Sequence, residues 1–560
     1  MKPIMRSLLQ KLLLFLSFLL SLTLCVLVIY RYQLVNRFSL LFGDRYDAVI
    51  VASVLEHWSN VFLGMSSWTK LACFFPHENT IAHSDAYFLL GIFYHFFRLC
   101  GLDYFISIEA VGMVLKAIGF LGMYLFMRRV FAFSHGWSLL AAVLFTLNNA
   151  MTNHGQRIQL ATVAFAPVIA LVLYRVFDSF EKNHLKSFYP YMAFLSLLYG
   201  ALCMTCFYMA WFFAYFSVFF FGFYLCLIGK KNRTLVFLRV RERWLALLVV
   251  SSIFFITLAP FVVTYYPKCR EVGVRSYDYS ERGKTVPLPG VIQVGRANLL
   301  FCKVYNDILE LFYEAENIAA WEYYNTGMSP FLFYIFLCSS VMVFYERDEA
   351  FENKILKSFL LAAIVTWLST LSINGHSLWY LVYHLFPGAK ALNVVAGYQI
   401  FLAFPVVVVS VYFLKTVALN KYLLVGVCLI LILGELNVPY LALNRQNELE
   451  RISSIPPPPK DCEVFFVSAW GEEEMLGGEW IYQNYAHNVS AMLLGEILRI
   501  PTINGFASFN PPDWNFAYPS REDYDDRVIA YCREHDIRGL FLLDLNSKKW
   551  VDYRDVLEQD

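Results

Sequence analysis

The chain lacks the short motifs that identify soluble enzymes. No glycine-rich phosphate loop, zinc-binding helix or nucleophile elbow occurs in its 560 residues, so those motifs point to no chemistry and call for no cofactor or metal. An excess of one charge is missing as well: 45 Lys and Arg stand against 44 Asp and Glu, a balance that gives no sign of a nucleic-acid partner. The twelve cysteines form no Cys/His pattern of metal-ligand spacing, and their CxxC pair, Cys203 and Cys206, lies inside an apolar run. Cys269 with Cys302, and Cys462 with Cys532, fall in shared extracytoplasmic segments where disulfides are chemically allowed. Free thiols are the simpler expectation, because sequence separation does not establish bridging geometry.

What the chain has in quantity is apolar surface. Fifty-eight per cent of its residues are hydrophobic and 18% aromatic, spread over many long runs, the pattern of a polytopic helical membrane protein. A basic start (Lys2, Arg6, Lys11) precedes an apolar run over residues 12–30, long enough to span and followed by no small-residue cleavage site. It reads as a retained first helix with a cytoplasmic N-terminus. Residues 105–127 then cross inward and end at Arg128-Arg129. Further spans are expected at 137–149, 160–177, 189–208, 211–228, 244–265, 331–345, 355–373, 399–414 and 422–439, about eleven in all. The most basic loop, 229–243, falls inside by the positive-inside rule, which leaves loops 32–104 and 266–327 and the C-terminus extracytoplasmic.

The expected fold is thus an all-α polytopic membrane bundle over residues 1–445, a proline-rich linker over 446–461 with four prolines at 456–459, and a small extracytoplasmic α/β domain over 462–560. In that last part strands are predicted at 463–468 and 539–545, and helices at 491–498 and 522–536.

The stretch with the densest chemistry follows the first span. It opens on Gly43-Asp44-Arg45-Tyr46-Asp47 and enters a helical pattern in which Ile50, Val51, Val54, Leu55, Trp58, Val61 and Phe62 recur at spacings of three and four. Ser53, Glu56, His57 and Asn60 take the opposite face, as in a helix lying along the membrane surface. Asp44 suits the N-cap of that helix and Asp47 its first turn, a structural role compatible with a chemical one. Residues 86–100 are apolar but short for a span and read as a second interfacial or partly embedded helix.

A carboxylate in the first extracytoplasmic loop, a surface helix after it and a C-terminal extracytoplasmic domain resemble the GT-C superfamily of membrane glycosyltransferases. The wording narrows the resemblance toward YfhO-related bacterial membrane proteins: Gly43-Asp44-Arg45-Tyr46-Asp47, Glu56-His57-Trp58, Phe75-Pro76, Ser84-Asp85, Pro387-Gly388, Ile500-Pro501-Thr502-Ile503-Asn504-Gly505 and Asn510-Pro511-Pro512-Asp513-Trp514. The resemblance implies transfer of a sugar from a polyprenyl-phosphate-linked donor to a glycan or lipid acceptor of the cell envelope, at the outer face of an inner or plasma membrane. It implies membrane lipids as partners and no nucleic acid. By position it makes Asp44 the first candidate for general base or acceptor-orienting acid and Asp47 the second, with His57, Trp58 and Asp85 as substrate-binding candidates. The donor phosphate would need cations, for which Arg275, Arg282, Lys284 and Arg296 of the long outer loop are candidates, a solvated loop face being the plainer account of each. After Pro387-Gly388 the resemblance leads one to expect arginines, yet Asn393 and Gly397 occur, so Lys390 would have to substitute.

Other residues carry two readings each. His57 and His83 are proton shuttles or interfacial hydrogen-bonding histidines. Glu109 and Lys116, inside a predicted span, are functional or a mutual pair. Trp470 and Trp514 stack on sugars or pack a core. Asn488-Val489-Ser490 fits a glycosylation acceptor. Two alternatives to the enzyme remain, a transporter or flippase for a lipid-linked precursor and a catalytically silent scaffold for envelope assembly. A transporter predicts internal repeats, and none is evident.

Overall fold

A computed structural model describes residues 3–155, 157–273, 285–311, 325–345, 351–469, 484 and 486–558. Among these, six helices are long and apolar enough to cross a membrane: Leu8–Ile29, Tyr104–Val130, Ile158–Glu181, Phe207–Leu227, Trp244–Val272 and Val395–Thr416. Shorter apolar helices run over Phe88–Leu99, Pro330–Tyr345 and Lys421–Gly434. The first and fifth of the long helices turn Leu12, Phe15, Phe255 and Ile256 outward, an exposure that suits hydrocarbon and not water. The protein is a multi-span helical membrane protein.

The middle of the bundle is the helix Tyr398–Thr416, buried along nearly its whole length and packed by His135–Thr146, Pro330–Tyr345 and Phe351–Leu368. Phe126, Phe359 and Phe404 close a triangle of rings there, with centroids 5.3, 5.7 and 5.8 Å apart. Tyr104–Val130 begins where Asp103 accepts the backbone N–H groups of Phe105 and Ile106, an ordinary N-cap.

Several elements depart from the sequence reading. The basic stretch expected as a loop is a helix, Gly229–Glu242, with no buried residue, and its Arg239 pairs with Glu181 at 2.9 Å. The break between the two spans expected at 189–208 and 211–228 falls earlier, between Leu185–Cys203 and Phe207–Leu227. Its cause lies elsewhere in the chain: the Asp85 carboxylate accepts the Phe207 N–H at 3.0 Å and starts the second helix there. All twelve cysteines are free, and Cys462 and Cys532 sit in different apolar clusters of the C-terminal part.

After the last apolar helix the chain returns to the first loop. Leu441–Asn444 pairs antiparallel with Leu40–Phe42, and the helix Arg445–Ser453 follows. Arg45 reaches Glu448 at 3.0 Å and the Ser490 hydroxyl at 3.0 Å, while Arg445 holds Asp103 at 2.7 Å. The remainder is α/β. Val464–Val467, apolar and buried on both faces, runs parallel to Leu540–Asp544, which pairs antiparallel with Lys549–Asp552. His487–Leu498 and Tyr524–Glu534 pack on opposite faces of that sheet, one against Phe465 and Val467, the other against Phe466. All four predicted elements of this part are present.

The helix Arg45–Phe62 has its apolar face in the bundle, but its polar face is not open to headgroups. Ser53, Glu56, His57 and Asn60 are buried, because His487–Leu498 and Phe88–Leu99 cover them. Glu56 meets the Tyr94 hydroxyl at 2.9 Å and Arg98 at 3.1 Å. Glu496 takes the Ala72 N–H at 2.8 Å and the Asn60 amide at 3.2 Å, with His57 Nδ1 3.1 Å away.

Removing the Glu496 carboxylate strands these donors away from water. Glu496→Ala is expected to cost roughly 3 kcal/mol or more, and Glu496→Gln, which keeps an acceptor, clearly less. Thermal unfolding of the purified protein in detergent, with limited proteolysis between residues 446 and 461, checks this. Equal stability of Glu496→Ala and wild type would show that the junction does not rest on this residue.

Candidate functional site

The polar end of the bundle is built around the start of Arg45–Phe62. Gly43 lies at φ 79°, a conformation that favours glycine, and its backbone bonds to Tyr440, Ala442 and Leu443 set the direction of the turn. Asp44 follows as the N-cap, one carboxylate oxygen accepting the N–H groups of Tyr46 and Asp47 at 3.0 and 3.3 Å. Asp47, one turn in, accepts from Arg157 Nε at 3.3 Å. Burial first and the neighbouring Asp47 charge second push the Asp44 carboxyl above the ordinary aspartate range, against the cap hydrogen bonds and Arg157.

Arg157 is placed by a buried polar knot beneath it. Glu435, 1% exposed, accepts from the Asn148 amide at 3.1 Å, the Asn149 N–H at 2.8 Å and the Ser329 hydroxyl at 2.5 Å. Asn298 and Asn437 complete it, bonding Asn149 at 3.0 and 3.3 Å and Thr152 at 2.7 Å. The knot fixes the short helix Asn149–Asn153, and the chain leaves it through His154 and Arg157, joined by a 3.0 Å backbone bond.

Asp47, Asp85, His154 and Arg157 line one cavity of about 460 Å³. Tyr208, Asn393 and Gly397 form another wall, with Phe506 to Ser508 of the C-terminal part at its edge. The Tyr208 hydroxyl receives the N–H groups of Asn393 and Val394, which sets that wall. Burial pushes the Asp85 carboxyl up to about 6, partly offset by the Phe207 N–H it accepts. A cavity holding two carboxylates, an imidazole and a guanidinium can accept a hydroxyl proton and neutralise a phosphate.

A second cavity, of about 270 Å³, lies among Phe126, Phe216, Phe220 and Phe359 and ends at Asp178 and Glu181. Arg157 precedes and Glu181 ends the same 24-residue helical span, so these two residues lie roughly 35 Å apart at the usual helical rise. Its polar end is acidic and repels phosphate.

Of the candidates from sequence, Asp47 and Asp85 meet in the cavity, whereas Asp44 stands behind Asp47 as its cap. His57 and Trp58 do not reach it: His57 is wholly buried beside Glu496, and the Trp58 indole N–H is given to the Ala86 carbonyl. Their helix turns them into packing because both of its faces are covered. Lys390 is exposed, with its ammonium 5.5 Å over the Tyr383 ring and outside the cavity lining, while the Asn393 and Gly397 that replaced the expected arginines are inside it. Arg275, Arg282, Lys284 and Trp470 lie outside the described residues. Arg296 is ion-paired to Asp307 and Glu310 at 3.1 and 2.6 Å. His83 is buried against Phe74, with its imidazole pushed down to about 4 by desolvation. Glu109 accepts the Phe42 N–H at 2.9 Å, and Asn488 is fully buried, which bars glycosylation of the folded chain. Arg157 and His154 are the residues the sequence reading passed over. The signal was the short run, residues 150–159, left outside between two predicted spans.

The raised Asp85 carboxyl gives a signed pH dependence. Its folded form favours the proton, so its contribution to stability is full below about pH 4 and is lost as pH rises through about 6. Asp85→Asn keeps an acceptor for Phe207 and carries no charge. Its melting temperature minus that of wild type is expected to grow between pH 4 and pH 7 and level off above. A difference independent of pH would contradict the burial of this carboxyl.

No protein-family model matches the chain, and no curated protein matches it. Solved structures do resemble it. Arabinofuranosyltransferase AftD from Mycobacteria, seen by single-particle cryo-electron microscopy, matches with a TM-score of 0.49 at 12% identity over 94% of this chain and 35% of its own. This chain therefore spans about a third of that protein's length. ArnT from Cupriavidus metallidurans, crystallised bound to undecaprenyl phosphate, matches with a TM-score of 0.42 at 11% identity over 88% of this chain and 85% of its own.

Proposed function

We propose that the protein transfers a sugar from a polyprenyl-phosphate-linked donor to a glycan or lipid acceptor of the cell envelope, at the extracytoplasmic face of the inner or plasma membrane. The observation that carries this reading is the convergence of Asp47, Asp85 and Arg157 on one cavity. In such a transfer the acceptor hydroxyl attacks the anomeric carbon and gives its proton to a carboxylate. The bond from that carbon to the phosphate oxygen breaks, and the lipid phosphate leaves with the electron pair.

Asp47 takes the role of base and Arg157 that of phosphate anchor. Because the two are paired through Arg157 Nε, an arriving phosphate competes for the guanidinium and frees the carboxylate when a proton acceptor is needed. Asp85, on the same cavity wall, accepts a hydrogen bond from a sugar hydroxyl. Asp44 positions Asp47 by capping its helix. This ordering exchanges the first and second choices made from sequence.

Purified variants assayed for release of lipid phosphate test the assignment. Asp47→Asn is expected to lose roughly 10²-fold or more in transfer with near-normal stability, and Arg157→Lys to weaken donor use, since an ammonium lacks the guanidinium fork. Asp44→Asn, which still caps, should retain most activity. Full turnover by Asp47→Asn would remove it from the chemistry, and donor flipping without phosphate release would favour a flippase.

The orientation follows from the basic residues, which gather at Arg128-Arg129, at Gly229–Glu242 and at Lys415 and Lys421. Single cysteines in a cysteine-free background should be labelled from the cytoplasm at residues 229–243 and from outside at residues 462–560. The reverse labelling would place the cavity on the wrong side for an extracytoplasmic transfer.

A further inference from the structure

His77, Asp513 and His535 lie apart from the cavity lining and come from three separate segments. His77 belongs to the first loop, Asp513 to the turn after Pro511-Pro512, and His535 caps the C-terminal end of Tyr524–Glu534. One ligand atom from each falls within 4.8 Å of the others. Both imidazoles address the carboxylate through Nε2, His77 at 3.0 Å from one oxygen and His535 at 2.8 Å from the other. Tetrahedral zinc with bonds of 2.0–2.2 Å sets neighbouring ligand atoms roughly 3.3 Å apart, so the cluster needs only a small adjustment to receive an ion.

A second observation separates this cluster from a plain pair of His–Asp hydrogen bonds. His77 Nε2 and Asp513 Oδ1 are both shielded from solvent, and despite their 3.0 Å separation the angles between them do not make a hydrogen bond. Two buried atoms face each other without the bond that would satisfy them. Near His77 the helix Trp244–Val272 adds Lys268 and Glu271, opposite charges paired with each other at 2.8 Å.

We infer that His77, Asp513 and His535 bind a divalent transition metal of the zinc class, with a further ligand position left for water. Two imidazoles and one carboxylate are a ligand set that suits zinc, and hard cations such as magnesium less so. The ion ties the first loop to the C-terminal part where their backbones already run together: Phe74 and Phe75 donate to Asn504 and Thr502, and Thr502 donates to Ala72. The Tyr531 hydroxyl, on the helix that His535 ends, donates to the Phe75 carbonyl at 3.0 Å. Asp85 lies further along the same loop, so the ion steadies the segment that carries a cavity carboxylate. The inference does not depend on the reaction proposed above.

The test uses the full chain in detergent. Elemental analysis of protein purified without added metal should find about one zinc per chain, and His77→Gln with His535→Gln should lower that at least tenfold. Glutamine keeps a donor toward Asp513, so a purely hydrogen-bonded cluster would survive both changes. After chelation, adding Zn²⁺ alone should raise the melting temperature of wild type and of His384→Ala, an exposed-histidine control, and leave the double variant unmoved. Cobalt in place of zinc should give visible absorption bands in wild type only. Sub-stoichiometric metal together with no shift of melting temperature on Zn²⁺ addition would overturn the site.

Discussion

Glu496 is the contact on which the rest of the polar end depends. A carboxylate 3% exposed cannot stay in such a place without donors, and the first loop supplies them from Asn60 and the Ala72 N–H, with His57 beside them. The helix Arg45–Phe62 thereby loses its freedom to lie open on the membrane. It becomes a slab between the bundle and the C-terminal part, and its N-terminus, with Asp44 and Asp47, is aimed at the cavity. The same junction brings Phe506 to Ser508 to the cavity edge and lines up the backbones of residues 72–75 and 502–504. Loop and C-terminal part are packed together, although most of the chain separates them in sequence.

This explains which features could be read from the sequence. The capped helix after the first span and the four elements of the C-terminal part follow from local periodicity and local capping, and the structure contains them; of the eleven spans expected, six among the described residues have spanning length. Asp44 as N-cap was legible for that reason. The burial of His57, Glu56 and Asn60 was not, since a polar helical face looks the same whether water or another helix covers it. Nor was the start of Phe207–Leu227, fixed by Asp85 from a distant loop. Arg157 was missed because its position depends on the knot of Glu435, Asn149, Asn298 and Asn437, which no spacing rule assembles. The His77, Asp513 and His535 cluster escaped in the same way: metal motifs are recognised by short spacing, and these ligands share none.

The two cavity carboxylates, identical as side chains, stand in different environments. Asp47 stands at a helix N-terminus facing a guanidinium. Asp85 is buried with a backbone N–H as its principal compensation, and desolvation prevails. Asp44 belongs to this arrangement without lining the cavity. Its carboxylate is tied to the first turn of the helix and raised by Asp47, so the pair shares an electrostatic cost that Arg157 offsets. A neutral residue at 47 would relieve Asp44, and a neutral residue at 157 would burden both acids. The three are therefore coupled, and the effect of changing any one of them is not the sum of its contacts.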